Sequence, residues 1–180
     1  YEACVKAGKC VAAGKGKLLY NVDWYKDEPF FNTAVPKLEW KLVSKTVLPN
    51  STAKDYIDQT KVLRDSLSDF LPPQELDECT DQKLEALRAL MENDWKEAAK
   101  QLSELSINQN HRRTLVEAFY DLCLRFGAQG ERLLQNSWDW THNRSSDGYL
   151  VYVGNFVATG VRVLRWPVSA YESLGVVSSR

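Results

Sequence analysis

The sequence has only two histidines, His111 and His142, and four cysteines, Cys4, Cys10, Cys79 and Cys123, with no C-x-x-C pair. Zinc sites need clustered Cys and His at short spacing, so no metal centre is expected. Six positions along a helix put Cys4 and Cys10 on poorly matched faces, and they can pair only where the chain between them bends. Cys123 falls on the apolar face of an expected helix and reads as core. No lysine follows Lys100, so the C-terminal part draws its positive charge from arginine alone, beside acids such as Glu131, Asp139 and Glu172. The formal charge is −1, which gives no electrostatic reason to expect nucleic acid or an anionic membrane as partner. No apolar run approaches bilayer-spanning length, so membrane insertion is not expected. G-x-S-x-G is absent. The Gly14-Lys15-Gly16-Lys17 tract is too short for a P-loop and lacks the following Ser or Thr. No cofactor is expected.

What is present is an ordinary globular composition, 44% hydrophobic and 26% charged over 180 residues, with six Trp and eight Tyr. That length and composition favour one domain, residues 1–180, with enough apolar residues for a substantial core. Residues 2–13 read as a helix stopped by Gly14 and Gly16. An aromatic segment from Tyr20 to Phe31 follows, packed through Trp24, Phe30 and Phe31. From Leu38 to Leu48 the residues alternate, with Leu38, Trp40 and Leu42 on one side and Glu39 and Lys41 on the other, the pattern of a half-buried strand. Pro49 and Asn50 end it, and Ser51 or Thr52 is placed to cap a helix running to about Phe70. Leu71-Pro72-Pro73 breaks that helix. Thr80 or Asp81 starts the next, through Leu84, Leu87, Leu90 and Met91, and Asp94 caps a third carrying Trp95, Ala98, Ala99, Leu102 and Leu105. A fourth follows Asn110, with Leu115, Val116, Phe119, Leu122, Cys123 and Phe126 at 3.6-residue spacing and Gly127 as its stop. Beyond Gly127 the periodicity changes to short β segments. Helices followed by a small, mainly antiparallel C-terminal sheet make an α+β fold.

Several residue sets invite a chemical reading. Glu117 and Asp121, four apart on a helix, can share a face as paired carboxylates, although that spacing is common on solvated helices. His111-Arg112-Arg113 sits near a helix start, where an anion can bind or where the same residues simply form a surface cluster. Asp139 and His142 suggest an acid–base pair, but no nucleophile motif accompanies them. A hydrolase or transferase using Asp139, His142 and the Glu117/Asp121 pair is therefore an alternative, and a structural assembly domain is another. Asn50-Ser51-Thr52 and Asn143-Arg144-Ser145 match glycosylation sequons, which arise often by chance.

The stretch from Asp147 is more informative. Gly148, Val151, Val153, Gly154, Phe156, Gly160, Val161, Val163, Trp166, Leu174, Gly175 and Val176 form a small, rigid, apolar frame. Between them sit residues of no common chemistry: Leu150, Tyr152, Asn155, Val157, Thr159, Arg162, Leu164, Pro167, Val168, Ser169, Ala170, Tyr171 and Ser173. Side chains alternate along a strand, so Leu150 and Tyr152 oppose Val151 and Val153. The parity slips at Gly154 and again at Gly160, where glycine suits a bulge or turn. Each slip can keep the frame inward and the mixed set outward, as a binding patch. The same alternation also fits a sheet buried on both faces.

This frame, G-x-L-V-x-V-G-x-F-x-x-x-G-V-x-V-x-R-W closing with L-G-V-V-S-S-R, resembles the terminal variable region of diversity-generating-retroelement variable proteins, which have a C-type-lectin-like fold. In that family an adenine-directed reverse transcriptase rewrites Asn codons into most amino acids, excluding Met, Trp, Lys, Gln and Glu. None of the thirteen mixed positions carries an excluded type; Glu172, which lies between Tyr171 and Ser173 and is not one of the thirteen, falls outside the rule. A second stretch, Tyr1 to Cys10, is similar to the first helix of the formylglycine-generating-enzyme branch of that fold. That enzyme's paired catalytic cysteines near its C-terminus have no counterpart here. The helical stretch from Ser51 to Leu105 exceeds the two helices usual for the fold. The resemblance implies a non-enzymatic, receptor-like module with a variable ligand-binding region over about 148–173, its thirteen mixed positions contacting a protein or other macromolecular surface. Tyr152, Leu164 and Tyr171 are the expected anchors, and no acidic set for calcium accompanies them.

Overall fold

The computed structural model describes residue 6 and residues 18–20, 22–37 and 39–180. The expected helix over 2–13, apart from Lys6, lies outside these residues, as do Cys4, Cys10, Leu38 and the Gly14–Lys17 tract. Seven helices among the described residues precede a four-stranded sheet. The helices are α1 (Pro29–Asn32), α2 (Tyr56–Leu67), α3 (Pro73–Glu78), α4 (Asp81–Asn93), α5 (Trp95–Glu104), α6 (Ser106–His111) and α7 (Leu115–Gln129). The strands are β1 (Trp138–Arg144), β2 (Leu150–Val157), β3 (Gly160–Trp166) and β4 (Leu174–Gly175), in the spatial order β3-β2-β1-β4. β2 runs antiparallel to both β1 and β3, and β4 runs parallel to β1.

Local chemistry explains the helix starts. Side chains of Asp55, Thr80, Asp94 and Thr114 each accept from the backbone N–H three residues on, satisfying a donor that the first turn leaves open. At Thr114 the cap is reciprocal, since Glu117 reaches back to the Thr114 N–H at 2.9 Å. The first long helix thus begins at Asp55 rather than Ser51 or Thr52. Ser51 is buried, and its hydroxyl bonds the Leu48 carbonyl and the Val176 N–H instead. The fourth expected helix starts later, after Thr114, and the short α6, ending at His111, precedes it. Gly127 lies inside α7, and the left-handed stop is Gly130, at φ 70°.

The sheet is covered on both faces. One face, carrying Trp138, Trp140, Leu150, Tyr152 and Leu174, packs on α2, α4, α5 and α6 through Ile57, Leu63, Leu84, Leu102 and Ile107. The other, carrying Val151, Val153, Phe156, Val161 and Val163, packs on Leu115, Ala118, Leu122 and Phe126 of α7 and on Tyr25 and Phe30. Both parity slips occur where expected. The β2–β3 register shifts after Gly154, with Asn155 at φ 45°, and Val157 pairs with Gly160 across a two-residue turn. Glycine is required at both sites by close approach: a Cβ on Gly154 would lie 2.3 Å from the Ser137 carbonyl oxygen, and one on Gly160 would lie 2.4 Å from the Leu19 carbonyl carbon.

Residues 39–48 do not form the expected strand. Trp40 is fully exposed and Leu42 largely so, while Val43 and Val47 pack against the α7-side core. The inward set therefore has the opposite parity to the one expected, the reversal that a one-residue register difference produces. The segment runs along the C-terminal tail: Leu42 and Arg180 exchange N–H···O bonds of 2.7 and 3.0 Å, and Leu48 N–H reaches the Val176 carbonyl at 2.8 Å. In the aromatic segment Phe30 is buried as expected. Phe31 is exposed, and the fully buried Tyr25 is the main packing residue.

Candidate ligand-binding face

β3 is the edge of the sheet, and its cover is uneven. On the helix-covered face Tyr152 pairs with Leu164, and Leu150 pairs with Trp166. The helices shield β2 but stop short of β3. Exposure accordingly rises from 0% at Leu150 and 6% at Tyr152 to 38% at Leu164 and 45% at Trp166, with Tyr171 at 48%. Tyr152 closes an aromatic row, edge-on to Trp138 at 5.1 Å, beside Trp140, which in turn meets Tyr56 at 4.8 Å. Burial, with Tyr171 adding to it, pushes the Tyr152 hydroxyl up to about 12. It stays neutral at any ordinary pH.

The loop after β3 is pinned at both ends. Val168 is buried in the helix-side core, and its carbonyl accepts from the Tyr56 N–H at 3.0 Å. At the far end the Ser173 carbonyl accepts from Trp138 N–H at 3.0 Å, and Leu174 N–H bonds the Tyr171 carbonyl at 3.1 Å. Between these anchors Ser169, Ala170, Tyr171 and Glu172 face solvent. The Trp166 indole N–H donates to Ser169 Oγ at 3.0 Å, tying strand to loop.

The thirteen mixed positions therefore do not form one exposed patch. Leu150, Tyr152 and Val168 are core, because the helical layer covers the face of β2 on which the first two lie. Asn155, Val157, Arg162, Pro167 and Ser173 are half-buried. Asn155 is held in its bulge by bonds to the Ser137 and Gln135 carbonyls, and the Arg162 guanidinium lies 4.6 Å over the Tyr20 ring. Thr159, Leu164, Ser169, Ala170 and Tyr171 are exposed. Trp166, assigned to the frame in the sequence, belongs instead beside Leu164. The signal was available, since Trp166 follows Leu164 by two and shares its face.

The acid–base candidates lie elsewhere and have structural partners. Asp139 is fully buried; its carboxylate accepts from Arg113 Nη2 at 2.6 Å and from Val177 N–H at 2.8 Å. His142 is three residues along β1, and its Nδ1 lies 3.3 Å from the Asn108 carbonyl. Burial pushes its imidazole down, against the pull of that carbonyl. Glu117 is occupied by the Thr114 cap and by Lys41 at 3.2 Å, and Asp121 by Arg113 at 3.0 Å. Arg112 is buried, 3.9 Å over the Tyr56 ring, with only neutral acceptors around its guanidinium. His111 bridges Glu75 at 3.0 Å and the Ser179 carbonyl at 3.1 Å. Among the described residues no group of three His, Cys, Asp or Glu side chains is placed to hold a metal ion, and no helix is long and apolar enough to cross a membrane. No known protein family, curated protein or solved structure matches the chain.

Proposed function

We propose that the protein is a non-enzymatic ligand-binding module of C-type-lectin-like type, its specificity varied by a diversity-generating retroelement. The binding face is narrower than the sequence pattern alone suggests: Leu164 and Trp166 on β3 with Ser169, Ala170 and Tyr171 of the following loop. The observation that carries this reading is the group of large apolar and aromatic side chains left exposed on a pinned edge strand and loop. Such residues supply binding energy at protein surfaces, and neighbouring hydroxyls supply direction. The expected ligand is a protein or other macromolecular surface. The C-type-lectin-like assignment rests on the resemblance of the terminal frame and on the glycine-marked register changes of β2 and β3.

The test is genetic. The DNA beside the gene should hold a near-identical repeat of the segment encoding residues 148–173, differing at adenines, next to a reverse transcriptase gene. Sister copies of the gene should differ at Leu164, Ser169, Ala170 and Tyr171 across the amino-acid types that adenine-directed rewriting can produce. At Leu150, Tyr152 and Val168 they should carry only residues that the core can accept. An adjoining region without such a repeat, with substitutions spread evenly over frame and face, would overturn the proposal.

A further inference from the structure

A second surface lies away from the candidate face, on the segment that borders the C-terminal tail. Leu42 turns its N–H and carbonyl toward Arg180, and Ser44 turns its N–H toward the Ser178 carbonyl. Backbone groups alternate in direction along an extended chain, so Lys41 and Val43 turn theirs the other way, to the open edge. Neither makes a backbone hydrogen bond to any described residue. Side chains alternate as well. Val43 packs toward α7, and Lys41 reaches Glu117 there at 3.2 Å. Trp40 and Leu42 stand on the opposite face, the first fully exposed and the second 63% exposed. Arg180, directly across from Leu42, shares that face, and its guanidinium lies 4.0 Å over the exposed Phe70 ring. An open edge flanked by large apolar side chains is a template for a further strand, and tryptophan is enriched among the anchors of protein interfaces.

We propose that this edge, residues 39–45, is a homodimer interface that pairs antiparallel with the same edge of a second copy, about a two-fold axis at Leu42. Charge selects both the partner and the register. The edge carries Glu39 near one end, Lys41 within it and Lys45 at the other end. A two-fold at Lys41 or Val43 sets lysine against lysine, which destabilises a strand pair. A two-fold at Leu42 instead sets Glu39 opposite Lys45 of the second copy, at both ends. Lys41 and Val43 then exchange N–H···O bonds across the axis, and Leu42 meets its own copy with Trp40 diagonal to it. The contact is isologous, so each pair occurs twice and the assembly closes at two subunits. The chain bends at Lys45, which keeps the paired edge short, and a dimer of micromolar strength is expected. This edge lies on the β4 side of the sheet, opposite β3, so the dimer leaves Leu164 and Trp166 clear.

The experiment is sedimentation velocity of the intact protein from about 1 to about 100 μM, which brackets micromolar association. The wild-type chain should pass from monomer to dimer across that range. Leu42→Lys should abolish the dimer, because its two copies meet at the axis. Leu42 is largely solvent-exposed, so the fold should persist, as an unchanged urea midpoint would show. Glu39→Lys and Lys45→Glu should each weaken association by about tenfold, since each reversal acts at two symmetry-related pairs. Combined, they set opposite charges against each other again and should return Kd to within about threefold of wild type. A wild-type chain that stays monomeric throughout would leave the edge to another partner or to none, and would overturn the proposal. So would a dimer that Leu42→Lys leaves intact, or a double reversal that associates no better than either single one.

Discussion

Arg113→Met tests whether the acid buried in β1 is structural. Arg113 makes two ion pairs of different kind: one to Asp139, at 2.6 Å with neither side chain more than 4% exposed, and one to Asp121, at 3.0 Å with that carboxylate 35% exposed. Removing the guanidinium leaves Asp139 buried with the Val177 N–H as its remaining bond. Breaking a buried pair from one side costs about 3–5 kcal/mol, because an uncompensated charge stays in low dielectric. Asp139→Asn should cost a similar amount by removing the buried partner of the guanidinium, although Arg113 keeps its pair to Asp121 and the substituted amide keeps an acceptor for the Val177 N–H. The double substitution removes both charges together, so it should cost about as much as either alone rather than their sum. Asp121→Asn should cost about 1 kcal/mol or less, since its carboxylate remains hydrated. Urea midpoints at constant m-value measure all four proteins. Additive losses in the double variant, or an Asp121→Asn loss equal to that of Asp139→Asn, would refute the reasoning.

Three further predictions concern packing and titration. Phe156, fully buried and 5.1 Å from Phe126, should lose about 3–5 kcal/mol on change to Ala through transfer and cavity terms, whereas Thr159→Ala on the exposed turn should lose no more than about 0.5 kcal/mol; urea melts of the two decide it. His142 is held below its ordinary value by burial, against the Asn108 carbonyl, so the unfolded chain takes up its proton first and stability falls as pH drops below about 6.5. Glu117 is also held low: burial acts against it but is outweighed by the Thr114 N–H and hydroxyl and by Lys41. Its contribution is present above about pH 4.3 and is lost as pH falls through its depressed folded value. Midpoints against pH for wild type, His142→Gln and Glu117→Gln should show each variant lacking one of these two slopes.

Elements whose signals are local were legible in the sequence, while those that depend on partners were not. Thr80, Asp94 and the 3.6-residue stripe of α7 announce helices because caps and apolar periodicity act within a few residues. The slips at Gly154 and Gly160 were legible for the same reason. The Leu38–Leu48 segment failed because its alternation had two readings. Its partner is the C-terminal tail, far along the chain, and that pairing turns Val43 and Val47 inward and leaves Trp40 in solvent. The site was half legible. Alternation correctly separated Val151 and Val153 from Leu150 and Tyr152, but nothing in a period of two says whether the second face meets water or a helix. Here α2, α4, α5 and α6 cover the Leu150–Tyr152 end of β2 and leave β3 open, so Leu150 and Tyr152 became core and Trp166 became surface.

That uneven cover has a physical consequence for the proposed variable binding surface. On β2 every side chain of the helix-covered face touches packed neighbours. A change at Leu150 is therefore a core substitution whose cost depends on how well the helix-side core could close around it. On β3 the same face holds one layer only. Leu164 and Trp166 rest on the sheet from one side, and their removal exposes little that was dry. The strand itself is secured independently of them, by its ladder to β2, by Val161 and Val163 on the α7 side, by the Trp24 indole donating to the Val163 carbonyl at 2.9 Å, and by the Leu18–Tyr20 segment bonded to Val161. The loop beyond is held by Val168 below and by backbone bonds at its two ends, so the side chains of Ser169, Ala170 and Tyr171 contribute little to its shape. In the proposed function, stability and recognition are thus carried by different atoms at β3 and the loop, whereas substitution on β2 would disturb the core. Tolerance to substitution should therefore follow the helical cover rather than the strand alternation, falling sharply between Leu164 and its register partner Tyr152.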